Sequence, residues 1–77
     1  MNAIEFRAHP EYKKCMDKII SYRKGFVFTV DYTQMSTAKA NALKIVMADA
    51  VKAGYLDLLS IGLALDGTET DETFKRL

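Results

Sequence analysis

Apolar residues recur at helical spacing in two long stretches of this chain and alternate in shorter runs between them. The most ordered stretch is MSTAKANALKIVMADAVKAGYLDLL, residues 35–59, which has a polar head and an apolar tail. At about 100° per residue, Ala40, Leu43, Val46, Met47, Ala50 and Val51 form one apolar stripe, opposite Thr37, Asn41, Lys44, Ala48 and Lys52. Ser36 or Thr37 can cap the start by accepting from a backbone amide, and Gly54 can take the left-handed conformation that ends a helix. Ile45 is stranded on the polar side. Lys39 falls within the stripe, near enough to the helix start for its stem to reach water.

Before this helix, Pro10 suits a first helical turn and Gly25 a helix end, so residues 10–24 read as helix. Tyr12, Cys15, Met16 and Ile19 share one face; Lys13, Lys14, Asp17, Lys18, Ser21 and Lys24 share the other. Arg23 continues the apolar stripe and is expected to fold over the core and pair with Asp31. Residues 1–9 contain a short alternating run that predicts an edge strand or an ordered arm packing Ile4 and Phe6. Phe26, Phe28 and Val30 alternate with Val27 and Thr29 as in a strand, and residues 31–34 form a turn or one short helical turn. After the central helix, residues 55–59 read as a strand, Asp66-Gly67 as a turn and residues 73–77 as a last strand, together a β-hairpin. Leu63 and Leu65 lie beside its tip, either packed under it or exposed as a patch.

The chain has 77 residues, 49% hydrophobic and 27% charged, the balance of one folded domain over residues 1–77 and not of a disordered tail. Its first residues have no apolar signal-peptide core, and no run approaches the ~20 apolar residues of a membrane span, so a cytoplasmic protein without membrane attachment is expected. With one cysteine, Cys15, and one histidine, His9, neither a disulfide nor a structural zinc site is expected. The net charge of +1 is unevenly spread. Residues 1–52 hold nine Lys/Arg against five Asp/Glu, and residues 53–77 hold two against five.

Helix, short strand, short polar turn, longer helix and hairpin form an order that resembles the winged helix-turn-helix family. The closest likeness is MSTAKANALKIVMADAVKAGYLDLL, which looks like that family's second motif helix closing on a glycine and passing into the first wing strand. The resemblance implies a small α+β winged-helix-like domain, with two main helices, a short strand and a C-terminal β-hairpin. It also implies a transcriptional regulator that binds double-stranded DNA with helix 36–53 as reader. Thr37, Asn41 and Lys44 would then read bases, Ser36 and Lys39 would meet phosphates, and Lys13, Lys14 and Lys18 would add phosphate contacts.

Two departures qualify that implication. Only residues 31–35 are available for the helix that should precede the reader. The wing is also acidic, with Asp66, Glu69, Asp71 and Glu72 where DNA contact calls for lysine or arginine. The chain thus also resembles small phage-encoded winged-helix-like proteins that inhibit a host nucleic-acid enzyme, or a transcription or defence factor, by protein binding. In that alternative the four acidic residues meet a basic surface.

No enzyme is expected, since no nucleophile, acid/base or metal spacing appears, and Cys15 falls on an apolar helix face. No cofactor or metal is expected either. The alternate spacing of Asp66, Thr68, Thr70 and Glu72 fails as a calcium loop because Asp71 stands where glycine is needed. A homodimer is an open alternative, because Ile45, Leu63 and Leu65 supply apolar surface beyond what a small core absorbs.

Overall fold

The computed structural model describes residues 2–77 and is a small α+β fold of three α-helices and a three-stranded antiparallel sheet. The chain runs α1 (Ala3–Arg7), α2 (Pro10–Ser21), β1 (Val27–Asp31), a 3-10 turn (Tyr32–Gln34), α3 (Thr37–Lys52), β2 (Leu56–Leu63) and β3 (Glu69–Arg76). Among the described residues no helix is long and apolar enough to cross a membrane.

The central helix follows its sequence signals. Ser36 caps it, its hydroxyl accepting from the Lys39 amide at 3.2 Å. Gly54, with φ +85°, turns the chain out of it. Ala40, Val46, Met47 and Ala50 are buried, Leu43 is half-buried, and Val51, at the edge of the stripe, is exposed. Tyr12, Cys15, Met16 and Ile19 of α2 turn inward onto the same core.

The predicted helix over residues 10–24 ends earlier, at Ser21. Tyr22 is already extended (ψ 143°), and its ring lies against Phe26 and Phe28 at centroid distances of 5.0 and 5.1 Å. Gly25 therefore does not cap α2. Its φ of +89° brings the chain into β1, where its amide donates to the Arg76 carbonyl at 2.7 Å.

Of residues 1–9, Met1 lies outside the described residues, and the rest form neither an edge strand nor an extended arm. Asn2 caps a helix by accepting from the Glu5 amide at 2.8 Å, and Phe6 packs on the core, with its ring edge-on to Tyr12 at 5.8 Å. Ile4, expected to pack beside Phe6, is 80% exposed. One helical turn lets Phe6 reach Tyr12 on α2 and Arg7 reach Asp49 on α3, where an extended arm would send the two side chains to opposite sides.

β3 is the middle strand, in the order β1-β3-β2. It begins at Glu69, four residues before the predicted start, because it pairs with both neighbours: Val30 faces Glu72 and Asp31 faces Asp71 on one side, and Gly62 faces Asp71 on the other. β2 likewise runs on to Leu63, four residues past the predicted end. The turn between them is held by Asp66, whose carboxylate accepts from the Thr68 amide at 2.9 Å, and by Gly67 at φ +83°. Phe74 and Leu56 are fully buried, and Phe28 stacks on Phe74 at 5.7 Å.

The expected pairing of Arg23 with Asp31 does not form. The Asp31 carboxylate instead caps the 3-10 turn, accepting from the Thr33 amide at 2.9 Å and the Thr33 hydroxyl at 2.6 Å. Those bonds hold its pKa below the usual carboxylate value.

Candidate functional site: the head of the central helix and the acidic hairpin

Of the α3 residues expected to contact DNA, the readers Thr37 and Asn41 and the phosphate-meeting Ser36 and Lys39 are exposed. With Ala42 and Ile45 they line one side of a groove of about 720 Å³, and Phe6, His9 and Glu11 line the other. Ile45 is therefore half-buried rather than stranded in solvent. The Ser36 hydroxyl is engaged in its cap.

Lys44 points elsewhere. Its Nζ lies over the Tyr32 ring, 5.0 Å from the centroid, and the Tyr32 hydroxyl donates to Glu72 Oε1 at 2.7 Å. Burial, reinforced by the Glu72 carboxylate, pushes the Tyr32 phenol well above its ordinary pKa, so it stays a neutral donor. The lysine nominated to reach a guanine thus lies between the 3-10 turn and the hairpin. Lys44, Glu69 and Glu72 border a shared recess with Ala48, Val51, Leu58 and Phe74.

The three α2 lysines separate. Lys13 is bonded to Asp17 one helical turn on, Nζ to Oδ2 2.7 Å. Lys14 and Lys18 instead join Lys39 on the rim of a second groove of about 630 Å³, between α2, β1 and the head of α3. Aromatic and apolar side chains floor it, among them Tyr22, Phe28 and Leu43. Three lysines beside an aromatic floor, with Glu11 and Asp31 also lining the groove, are the arrangement that the lysine spacing on α2 alone did not disclose.

The four acidic residues of the hairpin are not one cluster. Asp66 is taken up in the turn, where bonds from Thr68 lower its pKa. Glu69 is exposed at the start of β3. Asp71 lies across Gly62, accepts from the Thr70 hydroxyl at 3.0 Å and is paired in register with Asp31, so a fifth carboxylate joins the hairpin's charge. Glu72 turns to the other face, to Tyr32. Leu63 is 64% exposed and Leu65 fully so; these leucines form a patch and do not pack under the tip.

One grouping joins residues that are far apart in the sequence. Arg7 and Tyr12 both bond Asp49. Arg7, then Tyr12, depresses the Asp49 pKa, although partial burial opposes them. The Asp49 bond, with burial second, raises that of Tyr12. Each residue is an ordinary surface type in the sequence, so no local signal marks it.

Compared with protein families, with curated proteins and with solved structures, the chain has no match.

Proposed function

We propose that this chain is a winged-helix-like protein that acts without catalysis, by binding another protein through its acidic hairpin. The winged-helix part is supported by the strand order β1-β3-β2 and by the sequence of α2, 3-10 turn, α3 and hairpin. In such an arrangement β2 and β3 form the wing and α3 is the helix beside it.

The observation that carries the protein-binding part is the charge on that wing. Asp66, Glu69, Asp71 and Glu72, joined by Asp31 on the neighbouring strand, set five carboxylates on or beside the hairpin, spread over its tip and both faces, and Lys44 is drawn to the Tyr32 ring. A duplex repels that surface, whereas a basic protein surface, of the kind nucleic-acid enzymes and transcription factors carry, attracts it. The reading is an inhibitor that covers such a surface.

Duplex DNA is the second reading, and a separate observation favours it. Thr37, Lys39 and Asn41 are exposed at the head of α3, with Lys14 and Lys18 across the groove from Lys39. That sets three lysines, with Glu11 and Asp31 near them, beside polar groups of the right kind for base edges.

The deciding experiment is fluorescence anisotropy with mixed-sequence duplex DNA over about 50 to 200 mM salt, with affinity capture by the immobilised chain alongside. Protein binding predicts no duplex affinity at the lowest salt, and a captured basic protein that is lost when Glu69, Asp71 and Glu72 are changed to lysine. Steeply salt-dependent duplex binding would overturn it in favour of DNA.

A further inference from the structure

The strand order gives β2 a neighbour on one side only, and among the described residues no other segment pairs with its outer edge. Proteins usually defend such an edge by keeping it short or by placing charge or proline on it. β2 is eight residues long, and from Leu58 to Leu65 the chain has neither charge nor proline. Leu59, Ile61 and Leu63 are 48%, 45% and 64% exposed along it.

We propose that β2 is the seam of a homodimer, pairing antiparallel with β2 of a second copy about a two-fold axis near Ile61. A two-fold interface sets each patch against itself, so it must be self-complementary. A neutral run meets that condition, whereas the lysines of α2 and the carboxylates of β3 would each face their own kind. About this axis Leu59 lies opposite the partner copy's Leu63, and no charged residue meets another between positions 58 and 64. Bulges between Leu58 and Ser60 and between Gly62 and Leu63 leave residues 60–62, centred on Ile61, as the regular stretch able to form a ladder. Antiparallel pairing sends the two acidic tips to opposite ends of the new six-stranded sheet, on the order of 25 Å of strand apart, so their repulsion does not oppose assembly. The free edge of β1 is a poorer seam, because it is five residues long and ends in Asp31. This seam goes beyond the proposed function and is indifferent to whether the tips bind protein.

Sedimentation equilibrium of the whole chain from low micromolar to millimolar concentration tests it, together with amide hydrogen exchange at both ends of that range. The expected result is a monomer–dimer equilibrium in which Ser60→Lys and Leu63→Lys each weaken association by roughly tenfold or more. Circular dichroism would verify that both variants fold. In the unaltered chain, exchange within residues 60–62 should slow as concentration rises, while Val27 and Thr29 on β1 stay unchanged; this reading decides the matter if a variant fails to fold. A monomer at millimolar concentration, a dimer indifferent to both lysines, or new protection away from β2 would each overturn the proposal. None of these readouts involves a basic partner, so failure here leaves the proposed function standing, and the reverse holds too.

Discussion

Arg7 and Asp49, 42 residues apart in the chain, meet in a two-pronged ion pair, Nε to Oδ2 at 2.8 Å and Nη2 to Oδ1 at 3.0 Å. The Tyr12 hydroxyl adds a third donor to the same carboxylate at 2.7 Å. One aspartate on α3 therefore secures both α1 and the start of α2.

That arrangement predicts an acid-sensitive α1. Because its partners depress the Asp49 pKa in the folded chain, their contribution is complete above the ordinary carboxylate pKa of about 4 and is lost as pH falls through the lower folded value. Protection of the Phe6 and Arg7 amides, relative to their intrinsic exchange rate at each pH, should fall over that window. Asp49→Asn should show low protection already at neutral pH and little further change in acid. Tyr12→Phe should lower stability by roughly 0.5–1.5 kcal/mol, measured by urea unfolding.

Tyr32 should respond at the alkaline end. Its raised pKa means that the folded state favours the neutral phenol, so this contribution is present below about 10 and declines as pH rises further. Removing the hydroxyl in Tyr32→Phe strips a half-buried carboxylate of its donor and should cost about 1–3 kcal/mol at neutral pH. Between pH about 10 and 11, the variant should lose less stability than the unaltered chain in parallel melts.

Gly62 is a packing requirement. A Cβ there would come within 2.6 Å of Asp71 Cγ, and the short aspartate side chain has little room to retreat while bonded to Thr70. Gly62→Ala should destabilise the fold by about 1–3 kcal/mol. The double variant with Asp71→Ala should recover much of that loss, and a double-mutant cycle on unfolding free energies would measure the coupling.

The grooves predict a contrast between lysines if duplex DNA proves to be the ligand. Lys14→Ala with Lys39→Ala should then flatten the salt dependence by roughly two units of slope, while Lys13→Ala, already neutralised by Asp17, should change it little. Equal effects from all three would detach binding from the groove.

Elements whose signals are local were legible in advance. Ser36 and Gly54 bound α3, the i, i+3, i+4, i+7 residues of α2 turned inward, and Phe28 and Val30 took one face of β1 while Val27 and Thr29 took the other. Features that depend on distant partners were not. α1 is too short to show a helical period, and it is secured by residues on α2 and α3. β3 reaches back to Glu69 because β1 and β2 both supply ladder partners, although its carboxylates there blur the alternation that marks a strand. Gly25 is ambiguous for a plainer reason: a positive φ is equally useful in ending a helix and in opening a strand. At the candidate site, the exposure of Thr37 and Asn41 was foreseeable from helical phase and that of Lys39 from its place near the helix start, but the diversion of Lys44 to Tyr32 was not, because Tyr32 lies on another element.

The middle strand of the sheet is the last element along the chain, and this sets an order on folding during synthesis. Until Glu69–Arg76 leaves the ribosome, neither β1 nor β2 has a ladder partner, and the inward faces of α2 and α3 lack the Phe74 ring that completes their core. A nascent chain halted before that point would therefore present two sticky helices and two bare strands. Its sheet would assemble in one late, cooperative step once the final strand arrives.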